Sequence, residues 1–175
     1  PRPSRGCCGP VPPSSMVVIM LCIKADLENV ESFSVPREHI WCLDVKQSSG
    51  EEMRERITVN PLDEFEMAGS RGTCNFVVRW GGKSQSSMNV QHIKGVTRDY
   101  TADDSGKEVP IVAFECRGVE PVVWHPQGGY TVKSTGGKVF QDIEFDNTEW
   151  CDYDENKDLS VGIYNLSHSF KVHRS

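Results

Sequence analysis

The chain has 175 residues, with 25 acidic and 19 basic side chains that give a formal net charge of −6. This length is enough for one domain with its own hydrophobic core. The negative balance excludes a protein that binds nucleic acid mainly through the phosphate backbone, since such a protein needs a basic face. The longest apolar run, residues 17–23, is far too short to cross a bilayer, which takes about 20 residues. We therefore expect neither nucleic acid nor a membrane as a partner.

The amino-terminal segment, residues 1–15, contains five of the ten prolines together with glycines and serines. This composition cannot bury a core and predicts a disordered segment. Residues 16–175 are predicted to form a single β-rich domain. The apolar run at its start has the composition of a buried strand.

Apolar and polar residues alternate in several short runs after Met16. The pattern is present in residues 23–28, in residues 75–80 and most clearly in residues 166–172. Alternation with a period of two, rich in β-branched and aromatic residues, is typical of strands that bury one face. The sequence therefore predicts an all-β fold, a sandwich or flattened barrel of about ten strands.

Two segments of the chain resemble each other. Residues 23–30 and residues 114–122 both run from a strand pattern through an acidic residue to an apolar residue. The similarity indicates a duplicated β unit and thus two pseudo-symmetric halves, with possible bounds at 16–95 and 110–175.

The seven cysteines are scattered, odd in number and contain no C-x-x-C pair. A secreted disulfide framework has an even, clustered set. We interpret the cysteines as reduced thiols of a cytoplasmic protein, with a nuclear location as the alternative, and several of them as small buried hydrophobic residues.

No local catalytic motif is present. The sequence contains no G-x-S-x-G, no H-E-x-x-H and no phosphate-binding loop,. His168 lies on the apolar face of the last predicted strand, where a hydrogen-bonded core histidine is the preferred interpretation over a catalytic base. We predict that the protein is not an enzyme.

An acidic segment runs from Asp142 to Asp158, with eight carboxylates and one lysine. The spacing from Asp152 copies part of a calcium loop, but the sixth and twelfth positions are Lys157 and Ile163 instead of glycine and glutamate,. We predict a solvated surface that binds another protein. Trp124 belongs to the same set of candidates, and core packing is the preferred interpretation of Trp150. The candidate partner-binding residues within the segment are Asp142, Glu144, Trp150, Asp152 and Asp154.

Several motifs, taken together in this order, resemble one known family. The first matching segment is residues 23–30, which precedes these motifs in the chain. The resemblance as a whole covers residues 16–172. The motifs are Trp41-Cys-Leu-Asp-Val-Lys46, Phe114-Glu-Cys-Arg-Gly-Val-Glu-Pro-Val122, Phe140-Gln-Asp-Ile143, Glu149-Trp-Cys-Asp-Tyr-Asp-Glu155 and Ser160-Val-Gly-Ile-Tyr164 with His168 and Phe170. They are similar to the eukaryotic CXXC-motif-containing zinc-binding protein family. The resemblance implies an all-β fold with two related halves and one structural zinc ion held by two C-x-x-C knuckles.

The chain departs from that pattern at the knuckles. The resemblance places them at Gln47-Ser-Ser-Gly50 and at Trp80-Gly-Gly-Lys83. The four ligand positions it implies are therefore Gln47, Gly50, Trp80 and Lys83, none of which is a cysteine. A structural zinc site needs Cys or His donors, so we expect no zinc and no other cofactor here.

The replacements indicate how the loops are held without a metal. Ser48, Ser49 and Gly50 have turn composition. Gly81-Gly82 predicts a two-residue type I′ hairpin turn, and Trp80 adds apolar area. These features favour a non-enzymatic binding or adaptor protein. Two alternatives stay open: a zinc-binding protein with ligands elsewhere, and an enzyme or small-ligand binder with a pocket between the halves.

Overall fold

The computed structural model describes residues 16–67, 72–81 and 84–174, which form fifteen strands and one short 3₁₀ turn at Ala102–Asp104. The prediction of about ten strands is therefore too low, because bends divide long runs into separate strands. The segment predicted to be disordered, residues 1–15, lies outside the described residues. The strands are β1 Met16–Glu28, β2 Val30–Ser34, β3 Trp41–Gln47, β4 Met53–Val59, β5 Phe65–Glu66, β6 Thr73–Cys74, β7 Phe76–Arg79, β8 Gln85–Gln91, β9 Tyr100–Thr101, β10 Val109–Arg117, β11 Val119–Trp124, β12 Tyr130–Ser134, β13 Val139–Ile143, β14 Trp150–Asp154 and β15 Leu159–Val172.

The sheets are antiparallel and curl into a half-barrel, which confirms the predicted all-β class. The largest has the order β14-β15-β1-β10-β8-β7. A three-stranded sheet has the order β11-β3-β4, a four-stranded sheet has the order β13-β12-β2-β9, and β5 pairs with β6. Every hairpin of the large sheet therefore lies beside one of the two long central strands, β1 and β10.

The order of the large sheet is symmetric about its central pair, β1 and β10. β15 and β14 lie outside β1 in the same way that β8 and β7 lie outside β10. The two central strands pair antiparallel, with Ile19 opposite Phe114. Each is followed by one residue with positive φ, Asn29 at 53° and Gly118 at 73°, and then by a short strand. The segments predicted to be repeated are these two units, and the two pseudo-symmetric halves are confirmed.

The halves exchange strands. β2 from the first half pairs with β12 from the second, and β11 from the second half pairs with β3 from the first. Each half therefore completes a sheet of the other, and the loops between β3 and β4 and between β12 and β13 occupy equivalent places.

The core lies between the curled sheets and is rich in aromatic rings. Trp41 packs edge-on against Phe114 at 5.9 Å between ring centroids, and Trp124 packs edge-on against Tyr130 at 6.1 Å. Trp124, predicted as an exposed contact point, is only 2% exposed, so that prediction is wrong. The alternation predicted for residues 23–28 is confirmed, since Ile23 and Ala25 are buried while Lys24 and Asp26 are exposed.

The cysteines of the described residues are free thiols, four of them buried and Cys151 exposed. In that same part of the chain, no helix has the length and apolar character needed to span a membrane.

Candidate functional site

The loop between β3 and β4 and the described part of the loop between β7 and β8 lie side by side, and we call them the first loop pair (residues 47–52, 80–81 and 84). The β3–β4 loop closes when Gln47 N donates to Glu52 O at 2.9 Å. Within it, Gly50 N donates to Gln47 O at 3.4 Å. The predicted turn at residues 48–50 is thus confirmed.

The second loop of this pair differs from its prediction. Trp80 N donates to Ser84 O at 3.1 Å, which leaves three residues, 81–83, between the paired positions. Gly82 and Lys83 lie outside the described residues. Gly81 lacks the positive φ that a type I′ turn requires at both central positions. The hairpin exists, but its turn is not the predicted two-residue type.

Polar side chains connect the two loops. Gln47 Nε2 donates to Ser84 Oγ at 3.2 Å, and Gly81 N donates to Glu52 Oε1 at 3.0 Å. The guanidinium of Arg54 donates to the carbonyl of Arg79 at 3.2 Å and to Glu52 Oε2 at 3.2 Å. The bonds to Ser84, from Gly81 and to Arg79 cross from one hairpin to the other and fix the distance between them, whereas the bond from Arg54 to Glu52 orients the guanidinium within its own hairpin.

Trp80 fills the base of the first loop pair. Its side chain is 2% exposed, and its Nε1 donates to Ser86 Oγ at 2.7 Å. The Ser86 hydroxyl in turn donates to the carbonyl of Gly118 at 2.8 Å. The Arg54 guanidinium carbon lies 5.0 Å from the centroid of the Trp80 ring, a cation–π distance. An indole packed this way shields the loop bases from water.

The donor set at the predicted ligand positions does not fit zinc. Gln47, Gly50 and Trp80 come together in the first loop pair, while Lys83 lies outside the described residues. A glutamine offers a neutral amide, a glycine offers no side chain, and an indole is a donor only, whereas structural zinc takes thiolate or imidazole. In the described ranges, no group of three or more His, Cys, Asp or Glu side chains is placed to hold a metal ion.

The second half has an equivalent second loop pair, residues 134–138 and 154–158. Thr135 N donates to Asn29 O at 2.9 Å, just as Ser48 N donates to Gly118 O at 3.1 Å in the first half. Ser134 Oγ donates to Asp154 Oδ2 at 2.5 Å, and both side chains are completely buried. Across the same two loops, Lys138 Nζ donates to Glu155 Oε2 at 2.9 Å. Both halves thus connect two hairpin loops through side chains.

The acidic segment is divided by the fold. Asp142, Glu144 and Asp152 are exposed and belong to one stretch of β13 and β14 with its connection. Asp154 is buried by its bond to Ser134, so its prediction as a partner-binding residue is wrong. The hydrogen bond from Ser134 holds the pKa of Asp154 below its usual value. Trp150 is half-buried and packs edge-on against Phe140 at 5.2 Å, in line with the core-packing interpretation.

The structure contains a His–Asp pair that the sequence did not predict. His125 Nε2 lies 2.7 Å from Asp44 Oδ1, which also accepts from Arg56 N at 2.8 Å. The two residues are 81 positions apart and meet because β11 pairs with β3, so no local pattern could indicate them. Within the described chain, no nucleophile is hydrogen-bonded to the His125 ring. The nearby Cys42 is buried, and burial raises the pKa of its thiol, which disfavours the reactive thiolate form.

His168 behaves as the sequence predicted. Its Nε2 accepts a hydrogen bond from Trp124 N at 3.1 Å, and its ring packs edge-on against the Trp124 indole. Burial lowers the pKa of this histidine, so the neutral acceptor form is favoured at neutral pH.

Comparison with known sequences agrees with the fold. The sequence profile of the family described as "CXXC motif containing zinc binding protein, eukaryotic" matches residues 20–171. A Bos taurus protein of that name is 35% identical over 155 residues, covering 87% of this chain and 96% of the relative. The Homo sapiens protein of that name is 32% identical over 155 residues with the same coverage. The UPF0587 protein CG4646 of Drosophila melanogaster is 33% identical over 158 residues, covering 89% of this chain and 97% of the relative.

Two solved structures share the architecture. A hypothetical protein from Plasmodium falciparum has a TM-score of 0.80 and 31% identity, covering 89% of this chain and 99% of that chain. The crystal structure of C1orf123 has a TM-score of 0.80 and 32% identity, covering 88% of this chain and 98% of that chain. The similarity therefore extends over nearly the whole length of both neighbours.

Proposed function

The chain belongs to the eukaryotic family of CXXC motif containing zinc binding proteins, and we propose that it is a non-enzymatic binding protein in which side-chain contacts take the place of a zinc ion. The observation that carries this proposal is the set of bonds across the first loop pair. Gln47, Glu52, Arg54 and Trp80 occupy the space between the loops. These groups supply no thiolate and no imidazole.

The charge at the first loop pair opposes a divalent cation. The Arg54 guanidinium lies over the Trp80 ring and contacts the Arg79 carbonyl, and a fixed positive charge a few ångströms away raises the energy of a bound cation. Glu52 is the carboxylate that bridges the two loops, and it already accepts from Gly81 N and from Arg54. One carboxylate engaged in two bonds does not make a tetrahedral site.

The second loop pair supports the same proposal from within the fold. Residues 134–138 and 154–158 contain neither cysteine nor histidine. They nevertheless hold two hairpins together through Ser134, Asp154, Lys138 and Glu155. Polar side-chain bonds are thus sufficient to hold two hairpin loops together in the second half. This supports the same arrangement in the first half.

The test is the zinc content of the purified protein beside a variant that restores the knuckles. The matched variant carries Gln47→Cys, Gly50→Cys, Trp80→Cys and Lys83→Cys, and both proteins are loaded with zinc, desalted and measured by elemental mass spectrometry. We expect about one zinc per chain in the variant and well under a tenth of that in the natural sequence. About one tightly held zinc in the natural sequence would support the alternative, a zinc-binding protein with ligands elsewhere.

We further propose that the partner is another protein, bound through the exposed carboxylates Asp142, Glu144 and Asp152 (the acidic surface). Their exposure and the overall charge of −6 favour a partner with a basic face. The cytoplasm, with the nucleus as the alternative, is the proposed location, which the free thiols support,.

The partner proposal is tested by cross-linking in a cell extract, where the natural sequence is compared with a variant whose acidic surface is neutralised. The variant carries Asp142→Asn, Glu144→Gln and Asp152→Asn; asparagine suits position 142 because φ there is 54°,. The control removes the same charge elsewhere, with Glu51→Gln, Glu55→Gln and Asp103→Asn, all exposed. The proposal requires that the acidic-surface variant loses a cross-linked partner that the control retains; equal capture by both variants would exclude this surface.

A further inference from the structure

A cavity of about 430 Å³ lies between β2 and the loop that connects β8 to β9. Its apolar wall is formed by Phe33, Val35 and Ile111, of which Phe33 and Ile111 are buried and Val35 is half-buried. This volume is within the range of small-molecule sites in proteins, roughly 300–1,000 Å³. The cavity is lined mainly by residues of the first half, most of them distant in sequence from the first loop pair. It is therefore different from the predicted alternative of a pocket between the halves.

The polar wall of the cavity is basic, although the chain as a whole is acidic. Arg37, His92 and Lys94 contribute to it. Among the described residues, neither Arg37 nor Lys94 has an ion-pair partner. Asp99 is the carboxylate of the lining, and it is exposed. Arg37 and Lys94 outnumber this carboxylate, so the charge of the lining favours an anion beside the apolar wall.

Arg98 also lines the cavity, but its charge is already compensated. Its two terminal nitrogens donate to Asp104 Oδ2 at 2.6 Å and to Asp104 Oδ1 at 2.9 Å. This bidentate contact anchors one end of the loop to the 3₁₀ turn. Arg98 therefore shapes the cavity, and Arg37 and Lys94 are left to meet a ligand.

The loop that carries His92 and Lys94 is held in its conformation without a ligand. Ile93 N donates to Thr97 Oγ1 at 2.9 Å, and Thr97 N donates to Ile93 O at 2.9 Å. Arg98 N donates to Pro110 O at 3.1 Å. A loop fixed by its own hydrogen bonds loses little conformational entropy when it binds. The backbone that carries His92 and Lys94 is thus positioned before any ligand arrives.

We propose that this cavity binds a small organic anion, with its apolar or aromatic body against Phe33, Val35 and Ile111 and its charged group on Arg37 and Lys94. A guanidinium binds carboxylate or phosphate oxygens in pairs, and an ammonium adds a point charge. Burial and the charge of Arg37 lower the pKa of His92, so a neutral imidazole is available beside them as a hydrogen-bond donor.

The test uses phenyl phosphate, with inorganic phosphate and phenol as the two halves of the probe. Each is titrated into the ¹⁵N-labelled protein, and amide shifts are followed by NMR. We expect saturable binding of phenyl phosphate with a Kd on the order of 1 mM, from the affinity of small fragments, with shifts centred on residues 33–37 and 92–98. Benzoate in place of phenyl phosphate tells a carboxylate from a phosphate ester.

The test variant is the double substitution Arg37→Gln and Lys94→Gln. The control removes the same charge elsewhere with Lys107→Gln and Arg174→Gln, and both control residues are exposed. We expect the first pair to weaken phenyl phosphate binding by about tenfold or more, the effect of losing charge-assisted hydrogen bonds, and the control to change it little. Equal weakening by both pairs, equal affinity for inorganic phosphate, or shifts elsewhere in the protein would each overturn the proposal. Unchanged amide spectra of the free variants show that the fold is intact.

Discussion

Ser134 donates its hydroxyl to Asp154 at 2.5 Å, and neither side chain is exposed. The same hydroxyl accepts from Gly136 N and from Lys138 N, both at 3.1 Å. One serine thus organises its own loop and joins it to the neighbouring loop. The equivalent place in the first half is occupied by Gln47, which reaches Ser84 across the first loop pair.

Removing this hydroxyl should destabilise the second loop pair. We expect Ser134→Ala to lower the melting temperature by about 4–8 °C, because the buried Asp154 carboxylate loses the donor to its Oδ2 and keeps the bond from Asn156 N to its Oδ1,. Differential scanning calorimetry measures the change. Ser160→Ala is the control, since that side chain is exposed, and its melting temperature should stay close to that of the natural sequence.

The same variant should respond differently to acid. The bond from Ser134 lowers the pKa of Asp154, so its stabilisation is present above the usual carboxyl pKa and is lost as pH falls through the lowered value. The stability difference between the natural sequence and Ser134→Ala should therefore be constant near neutral pH and shrink below about pH 4. A difference that stays constant into strong acid would show that the bond does not depend on the ionised carboxylate.

Trp80 should contribute more to stability than Trp150. Trp80 is 2% exposed and bonded to Ser86, whereas Trp150 is half-buried on the edge strand β14. We expect Trp80→Ala to lower the free energy of unfolding by about 3–5 kcal/mol, with a smaller loss for Trp150→Ala. Urea unfolding measures both. Equal losses would contradict the structural role assigned to Trp80.

Gly118 should tolerate no side chain, for two separable reasons. Its φ is 73°, and a Cβ atom there would lie 2.7 Å from Ser86 Oγ, a hydroxyl fixed by its bonds to Trp80 and to the Gly118 carbonyl. Gly95 has a φ of 80° but no atom within 4 Å of such a Cβ. Gly95→Ala should therefore cost about 1 kcal/mol from φ strain alone and Gly118→Ala about 2–4 kcal/mol, measured by urea unfolding. Equal costs would show that the contact with Ser86 relaxes freely.

His39 should make the fold sensitive to mild acid. The ring is 9% exposed and lies 4.7 Å from both the Trp41 and Tyr130 rings. Burial lowers its pKa to about 4. The unfolded state then binds more protons than the folded state between about pH 6.5 and pH 4. Stability therefore decreases as the pH is lowered through that window, and the decrease levels off below about pH 4.

The matched variant is His39→Phe, which keeps an aromatic ring and cannot titrate. Between pH 7 and pH 4 the natural sequence should lose about 3 kcal/mol more than the variant, as measured by urea unfolding at both pH values. Contributions of other titrating groups cancel in this comparison. Parallel pH profiles for the two proteins would show that His39 stays hydrated.

The sequence by itself determined the strands, the paired halves and the family. Period-two alternation depends only on which side of a strand faces the core, and near neighbours in the chain decide that. The turn at residues 48–50 was likewise predictable because turn conformations follow local residue types. The internal repeat became visible because the same strand, bend and strand were needed twice.

Tertiary structure alone decided which polar residues are functional candidates. Asp154 and Asp152 look alike in the sequence, yet one is buried against Ser134 and the other is exposed. Trp124 was predicted at the surface and lies in the core. The basic cavity joins residues 33–37 to residues 92–98, and the His125–Asp44 pair joins residues 81 positions apart. Such contacts depend on strand pairing between distant segments, and a local pattern carries no information about which distant segment will be the neighbour.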